Sequence, residues 1–447
     1  MLLLLLLLLY VLAGVVRGLE VLTVHGPVVG EERQETDPRT GHQLTWTQYL
    51  NIPYAAAPVG ERRFRPPSGP ESWVEPRYAG QQNLTICPQL GGPGVLYGRS
   101  DEDCLYLHLH VPQSQSDRPQ AVMVWIHGGG FMSGDGTPDS FGPQYWMAHG
   151  VIIVTINYRL GPLGYLSLGL EDIPGNMGQL DQVMALTWVQ DNIAVFGGDP
   201  ELVTIFGQSA GAAAVTYQMF SERSRGLFRR VIAQSGLGGF MPSFHHHQES
   251  QAARYGNNAA LLLGCVRPDH RAACLREKSV VAVQSLDLPE ELLSQPCIDQ
   301  AQPSPALADN PLDLVRSGNY QVDIDIMLGV NEDDGLLISE YFIPAPSLYD
   351  VLNQLWDFLG PFALFEEHHT EITAADIEIA TEILKFYIGE EGLEGLGPEK
   401  FRNITEMFTD SFFWFGNYLF LQHHLQHSTG KTYQYRFSYD VSPVVSD

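Results

Sequence analysis

At Val203-Thr-Ile-Phe-Gly-Gln-Ser-Ala-Gly211, a predicted β-strand turns directly into a predicted helix. The strand covers Leu202 to Phe206, and the alanine-rich stretch from Ala210 to Phe220 is typical of a helix. A reversal at one residue strains the backbone of that residue, Ser209, and leaves room only for glycine two positions before and after it. Both positions are glycine, as in the G-x-S-x-G pattern. We therefore expect a serine hydroxyl held clear of a sheet at a helix N-terminus, where partial positive charge favours a developing anion.

A glycine run follows an earlier apolar strand. It reads His127-Gly-Gly-Gly-Phe131 and comes directly after Ala121 to Ile126. Consecutive glycines let backbone amides approach a substrate without side-chain obstruction, and preorganised N–H donors stabilise the charge that develops on an attacked ester carbonyl. A plain flexible turn is the alternative interpretation. Because the run and the serine turn occur together in this order, we favour an anion-binding loop.

Strand and helix patterns alternate through the middle of the chain. Predicted strands cover Cys104 to Val111, Ala121 to His127, Gly150 to Tyr158, Leu202 to Phe206, Leu227 to Gln234 and Ile324 to Gly329, and the helices include Gly178 to Phe196. Uninterrupted Val and Ile runs suit strands that are covered on both faces. The pattern predicts an α/β fold with a mostly parallel central sheet and helices on both faces. Short antiparallel strands are expected near the N-terminus, at Leu19 to Val24 and Leu44 to Tyr49.

Composition describes a folded, acidic chain. The 447 residues are 44% hydrophobic and 17% charged, with 44 Gly and 29 Pro, which excludes disorder or a coiled coil as a description of the whole chain. The formal net charge of -27 repels phosphate backbones and anionic lipid heads, so nucleic acid is not an expected partner. The length allows one large domain or two, and we favour a single domain over residues 19–447.

Residues 1–18 are predicted to be a secretory signal peptide. Met1 is followed by eight Leu, and almost apolar sequence continues to Val16 before Arg17. An apolar run of about 15 residues suits a signal peptide better than a membrane-spanning helix, which needs about 20. A short membrane anchor is the alternative, and no later stretch approaches spanning length. We therefore expect a secreted, extracellular protein, in which the sequons at Asn83 and Asn403 are candidate glycosylation sites.

Secretion makes disulfides possible for the five cysteines. Cys87 and Cys104 could close one loop, and Cys265 and Cys274 a shorter one. A bridge across a loop of about 15 residues stabilises a fold by about 3 kcal/mol in the chain-entropy model. Cys297 is left over, and it is either free or paired with a cysteine outside this chain.

Several further motifs accompany the serine turn and the glycine run. They are Asn51-Ile-Pro-Tyr-Ala55, Arg63-Phe-Arg-Pro-Pro67, Glu102-Asp-Cys-Leu-Tyr-Leu107, Trp125-Ile-His-Gly-Gly-Gly-Phe131, Asn157-Tyr-Arg-Leu-Gly161, Gly175-Asn-Met-Gly-Gln-Leu-Asp181 and Gly197-Gly-Asp-Pro200. Through these residues the sequence resembles the type-B carboxylesterase and cholinesterase family of the α/β-hydrolase fold, from about Leu19 to the last residue. The resemblance implies a serine hydrolase of carboxylic esters that works without a metal or cofactor.

The resemblance also implies roles for single residues. Ser209 looks like the family's nucleophile, and the amides of Gly129, Gly130 and Ala210 look like its oxyanion hole. The structural correspondences are a salt bridge between Arg63 and Glu102 and disulfides Cys87–Cys104 and Cys265–Cys274.

The acid of the catalytic triad is expected after the strand Ile324 to Leu328. The segment Gly329-Val-Asn-Glu-Asp-Asp-Gly335 resembles the family's G-x-N-x-D-E-G, which places the acid at Asp334 where Glu is more frequent. The chemistry asks only for a carboxylate close to the imidazole. Glu332 and Asp333 are the competing candidates in the same acidic loop.

The histidine base is not recognisable. In this fold the order is Ser, acid, His, and only five histidines follow the proposed acid: His368, His369, His423, His424 and His427. All five precede the predicted strand Thr432 to Tyr439, whereas the family's base lies on a loop beyond that strand, and the last three are interpreted as the polar edge of a helix. Without an imidazole the serine is a poor nucleophile. We expect either a C-terminally truncated esterase that lacks its final elements, or a protein that has lost catalysis.

The substrate is expected to be a small-molecule carboxylic ester other than a choline ester. Cholinesterases bind a quaternary ammonium with a Trp between the first cysteine pair, and Pro88 to Asp103 contains none. Gln208 also stands where cholinesterases place Glu. A lipophilic hormone or xenobiotic ester fits better. An inactive esterase-like adhesion or ligand-binding protein is the rival hypothesis, and aggregation through an exposed sheet edge is the third. The tract His245 to His247 is interpreted as a solvated loop rather than a metal site.

Overall fold

The computed structural model describes residues 19–37, 40–80, 84–89, 99–113, 118–241, 246–286, 295–340, 355–357, 360–361, 372–390 and 400–439. The predicted signal peptide and the sequon asparagine Asn83 therefore lie outside the described residues, as do His245, His368 and His369.

The described residues contain one large mixed sheet, in the strand order β14-β13-β12-β11-β7-β8-β6-β4-β3. Its strands are β3 (Glu31–Thr36), β4 (Gln43–Pro53), β6 (Tyr106–Pro112), β7 (Gln120–Ile126), β8 (Ile152–Ile156), β11 (Gly198–Gln208), β12 (Arg230–Gln234), β13 (Asp325–Asn331) and β14 (Thr432–Phe437). Neighbouring strands are parallel from β14 to β8. From β8 through β6 and β4 to β3 they are antiparallel.

Smaller sheets flank the large one. The strands β1 (Glu20–Leu22) and β2 (Pro27–Val29) are antiparallel, and β5 (Arg77–Tyr78) pairs with β2 in parallel. The strands β9 (Ser167–Leu170) and β10 (Ile173–Pro174) form an antiparallel pair.

Helices cover both faces of the large sheet. In the described residues they are α1 (Gln144–Met147), α2 (Gly161–Tyr165), α3 (Met177–Asn192), α4 (Ala210–Phe220), α5 (Glu249–Leu262), α6 (Arg271–Arg276), α7 (Val280–Gln284), α8 (Pro311–Ser317), α9 (Leu336–Ser339), α10 (Ala374–Ile388), α11 (Phe401–Thr409) and α12 (Phe415–His427). A 3-10 turn at Ile193–Phe196 extends α3, and a π-helical turn at Asp410–Trp414 joins α11 to α12.

The sheet geometry confirms the predicted α/β-hydrolase fold class. Every residue of β8 is buried, as expected for an apolar strand in the middle of a parallel sheet. Side chains of β7, β8 and β11 share one apolar core with α3 and α4. The N-terminal strands are antiparallel, as predicted, but β4 is 11 residues long and therefore extends beyond the predicted Leu44 to Tyr49.

Both predicted disulfides are present. Cys87 and Cys104 are bonded, as are Cys265 and Cys274. Cys297 is a free, buried cysteine, and burial raises the pKa of its thiol well above the ordinary value, so the group is a neutral thiol near pH 7.

The ion pair that the resemblance implied is also present. Arg63 Nε donates to Glu102 Oε1 at 2.6 Å, and its Nη2 donates to Oε2 at 2.5 Å. Both side chains are nearly buried, and Arg63 Nη1 donates to the carbonyl oxygen of Arg276 at 2.9 Å. The pair therefore joins the segment before the Cys87–Cys104 loop to that loop, and the bond to Arg276 joins the same segment to α6.

Two histidines on β6 are buried, although a polar residue in an alternating strand usually faces water. His108 Nδ1 accepts a hydrogen bond from the backbone N–H of Asn51 at 3.1 Å, whereas neither ring nitrogen of His110 has a partner in the described residues. Burial lowers the pKa of His108 to about 4, against the opposing effect of the Asp135 and Asp139 carboxylates. Burial, His108 and Arg33 lower the pKa of His110 to about 3.

Because of these two histidines, we expect the folded state to lose stability at acidic pH. An imidazole with a lowered pKa in the folded state binds fewer protons than in the unfolded state, so it reduces stability as the pH falls below about 6.5. Each such group costs up to about 1.4 kcal/mol per pH unit between its two pKa values. The variant H110L should therefore lose less stability than the wild type between pH 6 and pH 4 in urea denaturation. H149L, at an exposed position, is the control, and an equal pH dependence in all three proteins would contradict the assignment.

Candidate active site

The turn around Ser209 has the strained backbone that its sequence predicts. β11 ends at Gln208 and α4 begins at Ala210, and Ser209 between them has φ 59° and ψ -129°. A serine rarely adopts a positive φ, and such a conformation persists only where its surroundings hold it. The Ser209 amide donates to Gln234 O on β12 at 2.9 Å, and its carbonyl accepts from Ala213 N at 3.0 Å. The side chain is half-buried and does not cap its own helix.

Steric crowding leaves room only for glycine at positions 207 and 211, on either side of Ser209. A methyl group placed on Gly211 would lie 2.1 Å from Ile126 O, and one placed on Gly207 would lie 2.4 Å from the Gly211 carbonyl carbon. Both distances are far below van der Waals contact with backbone atoms that cannot swing away. Any larger residue at either position would push β11, α4 and β7 apart.

The glycine run lies directly against Ser209. β7, which precedes the run, neighbours β11 in the sheet, and a methyl group placed on Gly128 would lie 3.2 Å from Ser209 Cβ. Gly129 and Gly130 have φ values of 107° and 64°, which favour glycine. The Gly129 carbonyl accepts hydrogen bonds within the loop from the amides of Met132 and Ser133, each at 3.0 Å.

The amide donors predicted for an oxyanion hole remain uncommitted in the described part of the chain. Neither Gly129 N nor Gly130 N donates a hydrogen bond to any described residue. Ala210 is the first residue of α4, so its N–H belongs to the unsatisfied donors of a helix N-terminus. The arrangement can therefore offer N–H groups and helix-terminal charge to an anion beside the Ser209 hydroxyl.

Asp334 lies at the same edge of the sheet, two strands from Ser209. It follows β13, and β12 lies between β13 and β11. Its Oδ2 accepts hydrogen bonds from Ser235 Oγ at 2.7 Å and from Asn331 N at 2.8 Å, and its Oδ1 accepts from Asn331 Nδ2 at 2.8 Å. These bonds hold the carboxylate in a fixed, half-buried position.

The competing carboxylates of the acidic loop are oriented differently. Glu332 Oε1 accepts from Arg436 Nη2 at 3.0 Å, and Asp333 is exposed. In contrast to Asp334, neither is hydrogen-bonded to β12 through Ser235. The geometry favours Asp334 of the three.

Sequence reasoning missed Ser235. It follows β12 directly, has φ 51°, and is the hydroxyl that connects Asp334 to the strand beside β11. A hydroxyl residue immediately after a parallel strand that neighbours the serine turn is a usable sequence signal, because the carboxyl ends of parallel strands share one edge.

The hydrogen bonds of the described C-terminal histidines do not reach Ser209 or Asp334. His424 is fully buried in α12, its Nδ1 pairs with Tyr320 Oη at 2.6 Å and its Nε2 with Thr432 Oγ1 at 3.1 Å. Burial lowers its pKa to about 4. The interpretation as part of a polar helix edge was wrong for His424, because Tyr320 and Thr432 satisfy both nitrogens in the core. His427 Nε2 is hydrogen-bonded to Arg316 O at 3.0 Å. None of His423, His424 and His427 is hydrogen-bonded to Ser209 or to Asp334.

The histidine tract is also more buried than predicted. His246 and His247 are 3% and 6% exposed, so the interpretation as a solvated loop was wrong for these two residues. The backbone of His247 forms an isolated β-bridge with the backbone of the buried Cys297, and this pairing holds His247 close to the core. Across the described ranges, no group of three or more His, Cys, Asp or Glu residues is placed to hold a metal ion.

Comparison with known proteins shows the family of the chain. The model of the Carboxylesterase family matches residues 17–445. The chain belongs to the carboxylesterase family. It is 32% identical to juvenile hormone esterase of Tribolium castaneum over 440 residues, which cover 94% of this chain and 72% of that protein. It is 33% identical to a carboxylic ester hydrolase of Bombus ignitus over 422 residues, covering 91% of this chain and 73% of that protein.

A further relative carries a different kind of name. Neuroligin-2 of Mus musculus is 35% identical over 366 residues, which cover 71% of this carboxylesterase-family chain and 42% of that protein. Among the described residues no helix combines the length and the hydropathy that crossing a membrane requires.

Proposed function

We propose that this chain is a secreted serine hydrolase of carboxylic esters in which Ser209 accepts the acyl group. The observation that carries the proposal is the strained Ser209 backbone, which packs against the glycine loop, residues 127–134. The Gly129 and Gly130 amides of this loop donate no hydrogen bond to any described residue. A strained residue of this kind is a common feature of active sites. A purely structural turn has no need for free N–H donors beside a hydroxyl.

The proposed reaction forms and then hydrolyses an acyl-enzyme. Ser209 Oγ attacks the ester carbonyl and gives its proton to an imidazole base, while the amides of Gly129, Gly130 and Ala210 donate to the oxygen that becomes negative. The protonated base returns the proton to the leaving alcohol, and water then cleaves the acyl-enzyme by the same steps. Asp334 would orient the base and stabilise its charged form. In support of this role, Ser235 and Asn331 donate hydrogen bonds to Asp334, and no described histidine is hydrogen-bonded to it.

A lipophilic carboxylic ester is the proposed substrate class. The name juvenile hormone esterase for one relative supports it. Gln208, next to Ser209, is exposed and uncharged, so it offers no charge attraction to a quaternary ammonium group. We propose an extracellular location, with residues 1–18 as the signal peptide and Asn83 and Asn403 as glycosylation sites. Asn403 is exposed on α11, although its Nδ2 donates to Tyr387 O at 2.7 Å.

Added imidazole tests the proposal in the chain as it stands. Because no described histidine is hydrogen-bonded to Asp334, we expect hydrolysis of p-nitrophenyl butyrate to be several orders of magnitude slower than with a complete triad. We expect a protein-catalysed rate that rises with imidazole concentration and saturates, because the Ser209 site binds the added base. D334N should lower the saturating rate, since the imidazolium ion loses its carboxylate partner. A rate that equals the sum of imidazole alone and protein alone would contradict the proposal.

An esterase-like adhesion or ligand-binding protein is the second candidate function. The similarity to neuroligin-2 is the observation that favours it. The two functions differ in what the Ser209 hydroxyl does. If no ester is hydrolysed with imidazole present, while the protein shows a cooperative thermal transition, the second function becomes the better one.

A further inference from the structure

One glutamine anchors the glycine loop from outside the strands that carry the candidate site. Gln89 is 8% exposed and lies two residues after Cys87. Its Oε1 accepts from Gly134 N at 2.8 Å, and its Nε2 donates to Gly134 O at 2.9 Å and to Cys87 O at 3.2 Å. The side-chain amide therefore pairs with both backbone polar groups of Gly134, as a neighbouring strand would. This pairing fixes the position and the orientation of that residue.

Gly134 in turn touches the start of the glycine loop. It has φ 112°, and a methyl group placed on it would lie 2.4 Å from His127 Nδ1 and 2.6 Å from Gly128 O. His127 Nδ1 and Gly128 O are themselves hydrogen-bonded at 2.8 Å. Burial lowers the pKa of His127 to about 4, so the ring is neutral near pH 7 and Nδ1 carries the proton that Gly128 O accepts. A shift of Gly134 would therefore displace Gly128.

The contacts continue from Gly128 to the nucleophile. Gly128 packs against Ser209, as the 3.2 Å separation from Ser209 Cβ shows, and Gly129 and Gly130 come next in the chain. At the other end, the disulfide between Cys87 and Cys104 fixes the chain two residues before Gln89. A continuous set of contacts therefore joins the disulfide to the candidate oxyanion hole.

We propose that Gln89 is a positioning residue for the candidate oxyanion hole. Its amide holds Gly134, and Gly134 holds Gly128, so that the amides of Gly129 and Gly130 keep a fixed direction beside Ser209. Small displacements matter at such a site, because N–H donors act on a developing anion only from hydrogen-bond distance. The catalytic consequence rests on the proposed ester hydrolysis. The ordering of the loop does not.

Hydrogen exchange tests the ordering of the loop without any need for activity. In Q89L the amides of Met132, Ser133 and Gly134, which donate hydrogen bonds in the wild type, should exchange about tenfold faster, because the two Gln89 hydrogen bonds that hold Gly134 are lost. Q302L is the matched control, since Gln302 is 7% exposed and its Nε2 donates to Glu171 O at 3.1 Å, apart from the glycine loop. Unchanged exchange in Q89L, or equal acceleration of these amides in Q302L, would overturn the proposal. If Q89L does not fold, Q89E replaces it, because a carboxylate cannot donate to Gly134 O.

Kinetics then test the catalytic consequence. In the imidazole-dependent hydrolysis, Q89L should lower kcat about tenfold while KM changes less than twofold, because oxyanion donors act mainly in the transition state. Q302L should keep the wild-type kcat. A wild-type kcat in Q89L despite faster loop exchange would overturn the positioning role. If the wild type itself hydrolyses no ester, the proposed function fails, and the exchange measurement alone decides whether Gln89 orders the loop.

Discussion

Replacing Ser209 by alanine should abolish the imidazole-dependent hydrolysis of p-nitrophenyl butyrate, leaving only the rate of ester and imidazole without protein. The hydroxyl is the atom that would form the acyl bond, and Ser209 has a strained backbone packed against Gly128. Removal of a nucleophile leaves the amide donors in place, but they have no attacking oxygen to assist. The rate should therefore be independent of the concentration of the S209A protein.

A second serine serves as the control for this substitution. Ser317 lies at the exposed end of α8, where its Oγ donates to Asp313 O at 2.7 Å. S317A should keep the wild-type dependence on imidazole. If S209A retained a saturable, protein-dependent rate, the acyl group would have to be accepted elsewhere, and the assignment of the nucleophile would be wrong.

Replacing Asp181 by asparagine should destabilise the fold by about 3–5 kcal/mol, the usual cost of leaving one member of a buried ion pair unpaired. The Asp181 side chain is fully buried, and that of Arg159 is 4% exposed. Asp181 Oδ2 accepts from Arg159 N at 3.0 Å and from Arg159 Nε at 2.8 Å, and its Oδ1 accepts from Nη2 at 2.7 Å. The pair joins α3 to the segment after β8, so its loss should weaken the attachment of α3 to that segment. Urea denaturation measures the change.

An exposed ion pair provides the comparison for D181N. Glu222 and Arg225 are bonded at 2.6 Å, but both side chains are more than half exposed. E222Q should therefore cost less than about 1 kcal/mol. The double variant R159M/D181L, which removes both charges, should be more stable than D181N. Equal small losses for D181N and E222Q would show that the buried pair does not hold the core.

The sequence was informative where structure follows from local spacing. The helix after Ser209 has the predicted bounds, Ala210 to Phe220, because an alanine-rich stretch bounded by the G-x-S-x-G turn leaves little choice of start. The parallel strands were predicted because uninterrupted Val and Ile runs are buried on both faces in such a sheet. The two disulfides followed from the family resemblance and are present.

Side-chain contacts between distant segments were beyond such reasoning. Ser235 and Asp334 are 99 residues apart, and Gln89 and Gly134 are 45 apart, so no local period marks either contact. The interpretation of His424 was wrong for the same reason. A histidine on an apolar helix can be a core residue only when distant groups, such as the Tyr320 hydroxyl, form hydrogen bonds with its ring nitrogens.

Intact-protein mass spectrometry after incubation with a fluorophosphonate and imidazole shows whether the Ser209 hydroxyl accepts an electrophilic group. The hydroxyl lies beside the Gly129 and Gly130 amides, which donate to no described residue. We expect one adduct for each chain, mapped by peptide analysis to Ser209 and absent from S209A. An unmodified chain, or an adduct on any other residue, would show that Ser209 is not the nucleophile.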